Sequence, residues 1–287
     1  MFAGFESVDL DVDGATIHAR TGGEGPPLLL LHGYPQTHAM WHRLAPALAR
    51  GFRVVVADLR GYGASRCHDG DGTFRAMARD QVALMRHLGH ETFHLVAHDR
   101  GARTAHRLAL DHPHLLRSLA LLDILPTLDA WRTMDDALAR KYFHWLFLSQ
   151  HGDMARRLIS ADPLAWLHHA LGGLGSGLEV FAPPALAAYE AAARDPEVVA
   201  GWCRDYTAAA GPDLDHDRAD RGRTLPLPTL VLWGARGVVA STLDPLETWR
   251  AHFPAATGHA LDAGHFLVEE RPDEVLAALE PHLAAAR

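Results

Sequence analysis

The sequence predicts an α/β fold: a mostly parallel central sheet with helices on both faces and an inserted helical cap. Three observations carry this prediction. Short apolar runs bounded by turn residues recur early in the chain, at Leu28-Leu29-Leu30-Leu31, 53–57, 93–97 and 118–122. Helix-length segments near 40–50, 74–88 and 101–111 separate them, so buried strands alternate with helices as a parallel sheet requires. From 126 to 222 the strand signals stop and Ala-rich helical stretches replace them, until the alternation resumes at Thr229-Leu230-Val231-Leu232-Trp233.

In chain order, residues 5–20 alternate loosely around Asp13-Gly14 and predict a two-stranded hairpin. Pro26-Pro27 then lead into the first doubly buried strand. After the strand at 229–233, helices are expected near 244–252 and over 272–285. The predicted core is therefore discontinuous, 1–125 plus 223–287, with 126–222 as the cap.

The 287 residues are 48% hydrophobic and 22% charged, the balance of an ordinary folded protein. No stretch approaches the roughly 18 apolar residues of a membrane span, and the first residues lack a basic, apolar leader. A cytoplasmic protein without a membrane partner is the expectation. Cys67 and Cys203 are too few for a disulfide framework and lack metal-ligand spacing. The net charge of −8 argues against nucleic acid as a partner and makes the overall field unfavourable for an anionic ligand. Such a ligand needs local cations. Of the 21 histidines, His87, His90 and His94 are read as surface residues rather than metal ligands, and the charged run 213–223 as a solvated face.

The most informative stretch is Leu95-Val96-Ala97-His98-Asp99-Arg100-Gly101, a strand that turns directly into a helix. Small residues around a central Asp have the form of a nucleophile elbow, which exposes that side chain at the carboxyl end of the sheet. Asp is also a common helix N-cap, and alone the residue fits both readings. Three other stretches bear on the choice. His32-Gly33-Tyr34-Pro35 follows one buried strand, Asp58-Leu59-Arg60-Gly61 follows the next, and Ala263-Gly264-His265-Phe266 precedes the last helix. This order is the layout of the α/β-hydrolase fold, with an oxyanion loop at Tyr34 and a base at His265. The strand ending in Gly234 has no carboxylate after it until Asp244, so a triad acid must stand elsewhere, and Asp123 follows the strand ending at Leu122.

Nearly the whole chain resembles the fluoroacetate dehalogenase (haloacetate dehalogenase) family. The matching elements are His98-Asp99-Arg100-Gly101-Ala102-Arg103-Thr104, Leu121-Leu122-Asp123-Ile124-Leu125-Pro126-Thr127, Phe143-His144-Trp145, Asp205-Tyr206 and Gly264-His265-Phe266. The resemblance implies Asp99 as nucleophile with Asp123 and His265 as partners, Arg100 and Arg103 as carboxylate ligands, and His144, Trp145 and Tyr206 as a halide pocket. It implies a small anionic haloacid as the partner, no metal or organic cofactor, and leaves a homodimer open. The chain has Leu174 where some family members line the pocket with tryptophan, and Tyr34 in place of a more usual phenylalanine.

The residues themselves are consistent with these roles. A carboxylate is already ionised near neutral pH and attacks saturated carbon without a base. His265 then activates water against the resulting ester, oriented by Asp123, with the N–H groups of Tyr34 and Arg100 holding the oxyanion. Arg100 and Arg103, three apart on a helix, can face one cavity. The alternative is an epoxide hydrolase, which pairs the same Asp and His with two cap tyrosines, here Tyr206 with Tyr142 or Tyr189. A ligand-binding receptor on the same scaffold is a rival of another class.

Overall fold

The computed structural model describes residues 1–150, 152–174 and 177–286. Nine strands form one sheet: β1 (Glu6–Val12), β2 (Ala15–Gly22), β3 (Pro27–Leu31), β4 (Arg53–Ala57), β5 (Arg66–Cys67), β6 (Phe93–His98), β7 (Leu116–Leu122), β8 (Thr229–Gly234) and β9 (Thr257–Leu261). Their order is β1-β2-β4-β3-β6-β7-β8-β9, with β5 pairing β2 at the side. The hairpin β1-β2 and the β2-β4 pair are antiparallel, and every pair from β4-β3 onward is parallel. Gly14 turns the hairpin at φ +76.

The apolar runs are explained by burial on both faces. Leu28 to Leu31, Val54 to Val56, Leu95 and Val96 are all fully buried, which demands hydrophobic side chains in both directions of the pleat. β9 and β5 were not legible. Most of β9 is exposed or half-buried at the sheet edge, so it carries Thr257 and His259 instead of an apolar run. The helix expected at 40–50 is instead a 3-10 turn, His38–His42, and a short helix, Leu44–Leu48. Pro46 explains the division. It lacks an N–H and is best tolerated in a first helical turn, where that group has no partner anyway. The helix Phe74–His87 starts as its sequence suggests, with Thr73 Oγ1 accepting the Ala76 N–H at 3.1 Å.

Between Thr127 and Ala219 the described residues form helices and one 3-10 turn, without a strand. No helix among the described residues is long and apolar enough to cross a membrane. The insertion touches the core closely: a Cβ on Gly201 would lie 2.0 Å from the carbonyl oxygen of Gly61, and one on Gly72 would lie 2.6 Å from the Arg204 carbonyl carbon. Helix Pro196–Ala209 thus meets the loop after β4 backbone to backbone.

The chain order reverses across β3. It passes from β3 to β4 on one side, then returns to β6 on the other. The carboxyl ends of β3 and β6 therefore flank a topological switch point, where open α/β sheets leave a crevice. Leu31 of β3 is in register with Ala97 of β6, so Tyr34 and Asp99 emerge side by side.

Candidate active site

Asp99 is the first residue of helix Asp99–Asp111 and has φ +49. That left-handed conformation costs a side-chain-bearing residue on the order of 1–3 kcal/mol and persists where surrounding structure enforces it. Gly33 and Gly101 make the turn possible. A Cβ on Gly33 would lie 2.4 Å from the Asp99 Cβ, and one on Gly101 would lie 2.3 Å from the His32 carbonyl oxygen. Asp99 does not cap the helix. His98 occupies the N-cap position, while Asp99 Oδ1 accepts the Tyr34 N–H at 2.8 Å. Burial opposes its charge, but His265, His98, Arg100 and the Tyr34 N–H outweigh it and hold the carboxyl below the usual range. Arg100, next in the first helical turn, has an N–H that needs no intrahelical partner.

His265 Nδ1 lies 2.6 Å from Asp123 Oδ2, and its Nε2 lies 3.7 Å from Asp99 Oδ2, too far for a hydrogen bond. Asp123 Oδ1 accepts the Gly234 N–H at 2.9 Å. Burial disfavours the imidazolium, yet Asp123 and then Asp99 more than compensate, so the His265 pKa is raised. Asp123 also has a positive φ, +46; it and Asp99 are the two non-glycine residues so placed among the described residues. A Cβ on Gly237, after β8, would lie 3.5 Å from both Asp123 carboxylate oxygens. The space beside His265 is therefore reachable from two strands, and Asp123 fills it.

The two arginines differ in a way their spacing did not reveal. Arg100 donates from Nε to Asp205 Oδ2 at 2.9 Å and from Nη2 to Asp205 Oδ1, with both residues buried. Tyr62 Oη donates to the same carboxylate at 2.6 Å. Asp205 thus neutralises Arg100 and takes most of its fork. Arg103 has no ion-pair partner among the described residues, and its Nε and Nη1 are buried without a hydrogen bond. Its guanidinium carbon lies 4.5 Å from the Trp145 ring centroid. Burial, reinforced by the Arg100 charge, pushes its pKa down to about 10. The sequence reading gave Asp205 no role. Its only signal was an acidic residue beside Tyr206, and its partner lies 105 positions away.

His144 and Tyr206 meet beside Tyr34, both near enough to Asp99 to sense its charge, while Trp145 lies against Arg103. The His144 ring stacks on Tyr34 at 5.7 Å and meets Tyr206 edge-on at 5.7 Å. Trp145 stacks on Tyr142 at 4.5 Å. Burial pushes the His144 pKa down to about 3, so the ring is neutral. Among the described residues, the ring nitrogens of His144, the indole N–H of Trp145 and the hydroxyl of Tyr206 make no hydrogen bond. Trp166 Nε1 donates to Tyr34 Oη at 2.5 Å, a contact a phenylalanine at 34 would lack.

Three expectations need correction. Tyr189 accepts from Gln36 and donates to Glu269, so it does not join Tyr206. His94 is not a surface residue: it is fully buried in β6 with Nδ1 2.9 Å from Ser118 Oγ. Asp213 is buried too, because its carboxylate accepts the Phe74 N–H that opens a core helix.

The α/β hydrolase fold family model matches residues 26–272. Fluoroacetate dehalogenase from Burkholderia sp. is 44% identical over 100% of this chain and 96% of its own length. The chain belongs to the fluoroacetate dehalogenase family of α/β hydrolases. Similarity to the family's neighbours is lower: soluble epoxide hydrolase from Corynebacterium sp. (strain C12) is 31% identical, with 92% of each chain covered. A solved structure from Nostoc sp. PCC 7120, described as a candidate α/β hydrolase, superposes with a TM-score of 0.96 at 46% identity, covering 99% of both chains. The molecule is thus a hydrolase of α/β fold.

Proposed function

We propose that this protein hydrolyses short 2-haloacids to 2-hydroxyacids through an ester on Asp99. The observation that carries the reading is Arg103, a buried cation that senses the Asp99 charge and forms no ion pair among the described residues. An unpaired buried charge is costly, and a substrate carboxylate is the group that satisfies it. The Burkholderia relative named for fluoroacetate supports the same reaction class.

Asp99 Oδ2 attacks the halogen-bearing carbon, and halide departs with the bonding electrons as the ester forms. Oδ1 stays on the Tyr34 N–H as the ester carbonyl oxygen. The unpaired donors of His144, Trp145 and Tyr206 replace the water that a small halide loses on entering the pocket. His265 Nε2 takes a proton from water, whose oxygen attacks the Asp99 carbonyl carbon, and the Tyr34 and Arg100 N–H groups receive the oxyanion. On collapse the bond to the substrate oxygen breaks, His265 gives its proton to that oxygen, and the Asp99 carboxyl ionises to solvent as the hydroxyacid leaves. One displacement at the substrate carbon gives inversion there. The cap contributes the halide donors, and the chemistry needs no cofactor.

Epoxide opening is the second reading, favoured by Tyr142 and Tyr206, which both lie near enough to Asp99 to sense its charge. A neutral epoxide leaves Arg103 unpaired, which argues against it. Halide-electrode assays with fluoroacetate, chloroacetate and 2-fluoropropionate, run beside styrene oxide, separate the two. Halide release from the acids at rates above diol formation is expected; the reverse ranking would replace the haloacid reading.

A further inference from the structure

A groove of about 210 Å³ is lined by residues of the cap, and three of these also touch the site. His144 is shared outright: it lines the groove and stacks on Tyr34. Trp166 lines it and donates to the Tyr34 hydroxyl. Leu174 lines it, and its carbonyl oxygen accepts the His265 N–H at 3.1 Å. Arg140 and Lys141 stand at the rim, both exposed. Lys141 is the single lysine of the chain.

We propose that this groove is the entrance for the anionic substrate, with Arg140 and Lys141 drawing carboxylates in against the field of the rest of the molecule. A chain of net charge −8 repels an anion at long range. Cations at the mouth of a cleft reverse that locally and raise the rate of encounter. The acid nearest Arg140 is Asp136 at 3.8 Å, an exposed contact too weak to cancel it. Among the described residues, Lys141 Nζ bonds only Ser241 Oγ, at 3.4 Å. Neither cation touches Asp99, Asp123 or His265, so the role is attraction and not chemistry.

The inference rests on the haloacid reading for its ligand, and the test reads binding apart from turnover. Glycolate association is followed by stopped-flow tryptophan fluorescence, with glycolamide as the neutral control. Reversing both charges, R140E with K141E, is expected to slow glycolate association about tenfold at low ionic strength. The wild-type rate falls with added salt, the variant's does not, and glycolamide is indifferent to both. Acetylating Lys141 should reproduce a smaller loss, about threefold, in the unmutated chain. An unchanged glycolate rate and salt slope in the variant overturns the entrance. Steered glycolate binding by a protein that releases no halide keeps the entrance and removes the dehalogenase reading. Absence of any glycolate binding overturns both.

Discussion

The Arg103 guanidinium lies over the Trp145 ring, 4.5 Å from its centroid, and among the described residues it forms no ion pair, although Asp99 is near enough to favour its charge. Its neighbour Arg100, three positions earlier, is held by Asp205 on two sides. One arginine is therefore paired inside the protein, and the other forms no ion pair among the described residues.

Arg103→Ala should separate activity from stability. Transition-state stabilisation for haloacids falls by about 2–5 kcal/mol, the range for losing one side of a buried charge pair. The folded protein should not weaken, because an uncompensated buried charge has gone. Halide-release kinetics beside a thermal melt reads both.

Asp205→Asn should do the opposite. It strands Arg100 in the interior, a loss of about 3–5 kcal/mol. A Tm lowered by about 10 °C is expected, and calorimetry measures it.

His265→Asn should still release halide once. The ester then persists, so intact-protein mass spectrometry after incubation with chloroacetate should show a substrate-derived adduct on a peptide containing Asp99. Multiple turnovers by an adduct-free variant would contradict the proposed mechanism.

The two half-reactions should respond differently to pH. Displacement needs ionised Asp99, whose pKa is depressed, so halide release in a single turnover continues below the usual carboxylate range. Ester hydrolysis needs neutral His265; burial lowers its pKa, but Asp123 and then the charged Asp99 raise it overall in the free enzyme. In the ester Asp99 carries no charge, so the acid limb of hydrolysis lies lower than the free-enzyme titration of His265. At the alkaline end, affinity for the haloacid should fall as pH passes about 10, where Arg103 loses its proton. Rapid-quench and steady-state profiles on one substrate test these limbs.

Asp123→Asn should lower turnover by roughly four orders of magnitude, as losing an orienting acid does in comparable triads. Adding Gly237→Asp should restore part of it, since that position opens on the same space. Asp123→Ala with and without the second change is the cleanest comparison.

Much of the fold was legible because β3, β4, β6 and β7 are buried on both faces, which leaves a continuous apolar run in the sequence. Asp99, Asp123 and His265 were legible because each sits at a strand or helix boundary with its own local pattern. Asp205 was not, since its meaning depends on Arg100, far away in the chain. Asp213 and His94 fail for the same reason: the Phe74 N–H lies 139 positions from the first, and Ser118 lies 24 from the second. A polar residue in isolation looks solvated. Only its partner shows that it is buried.

The contact of Gly201 with Gly61 sets a tolerance for the whole pocket. Where two main chains touch, no rotamer is available to absorb an error. Any side chain at 201 must lift helix Pro196–Ala209, and Tyr206 and Asp205 travel with it. The Tyr206 side chain and the counter-ion of Arg100 would then shift by the same displacement. The span between Tyr206 and Asp99 is thus gauged by a missing methyl, outside the site itself.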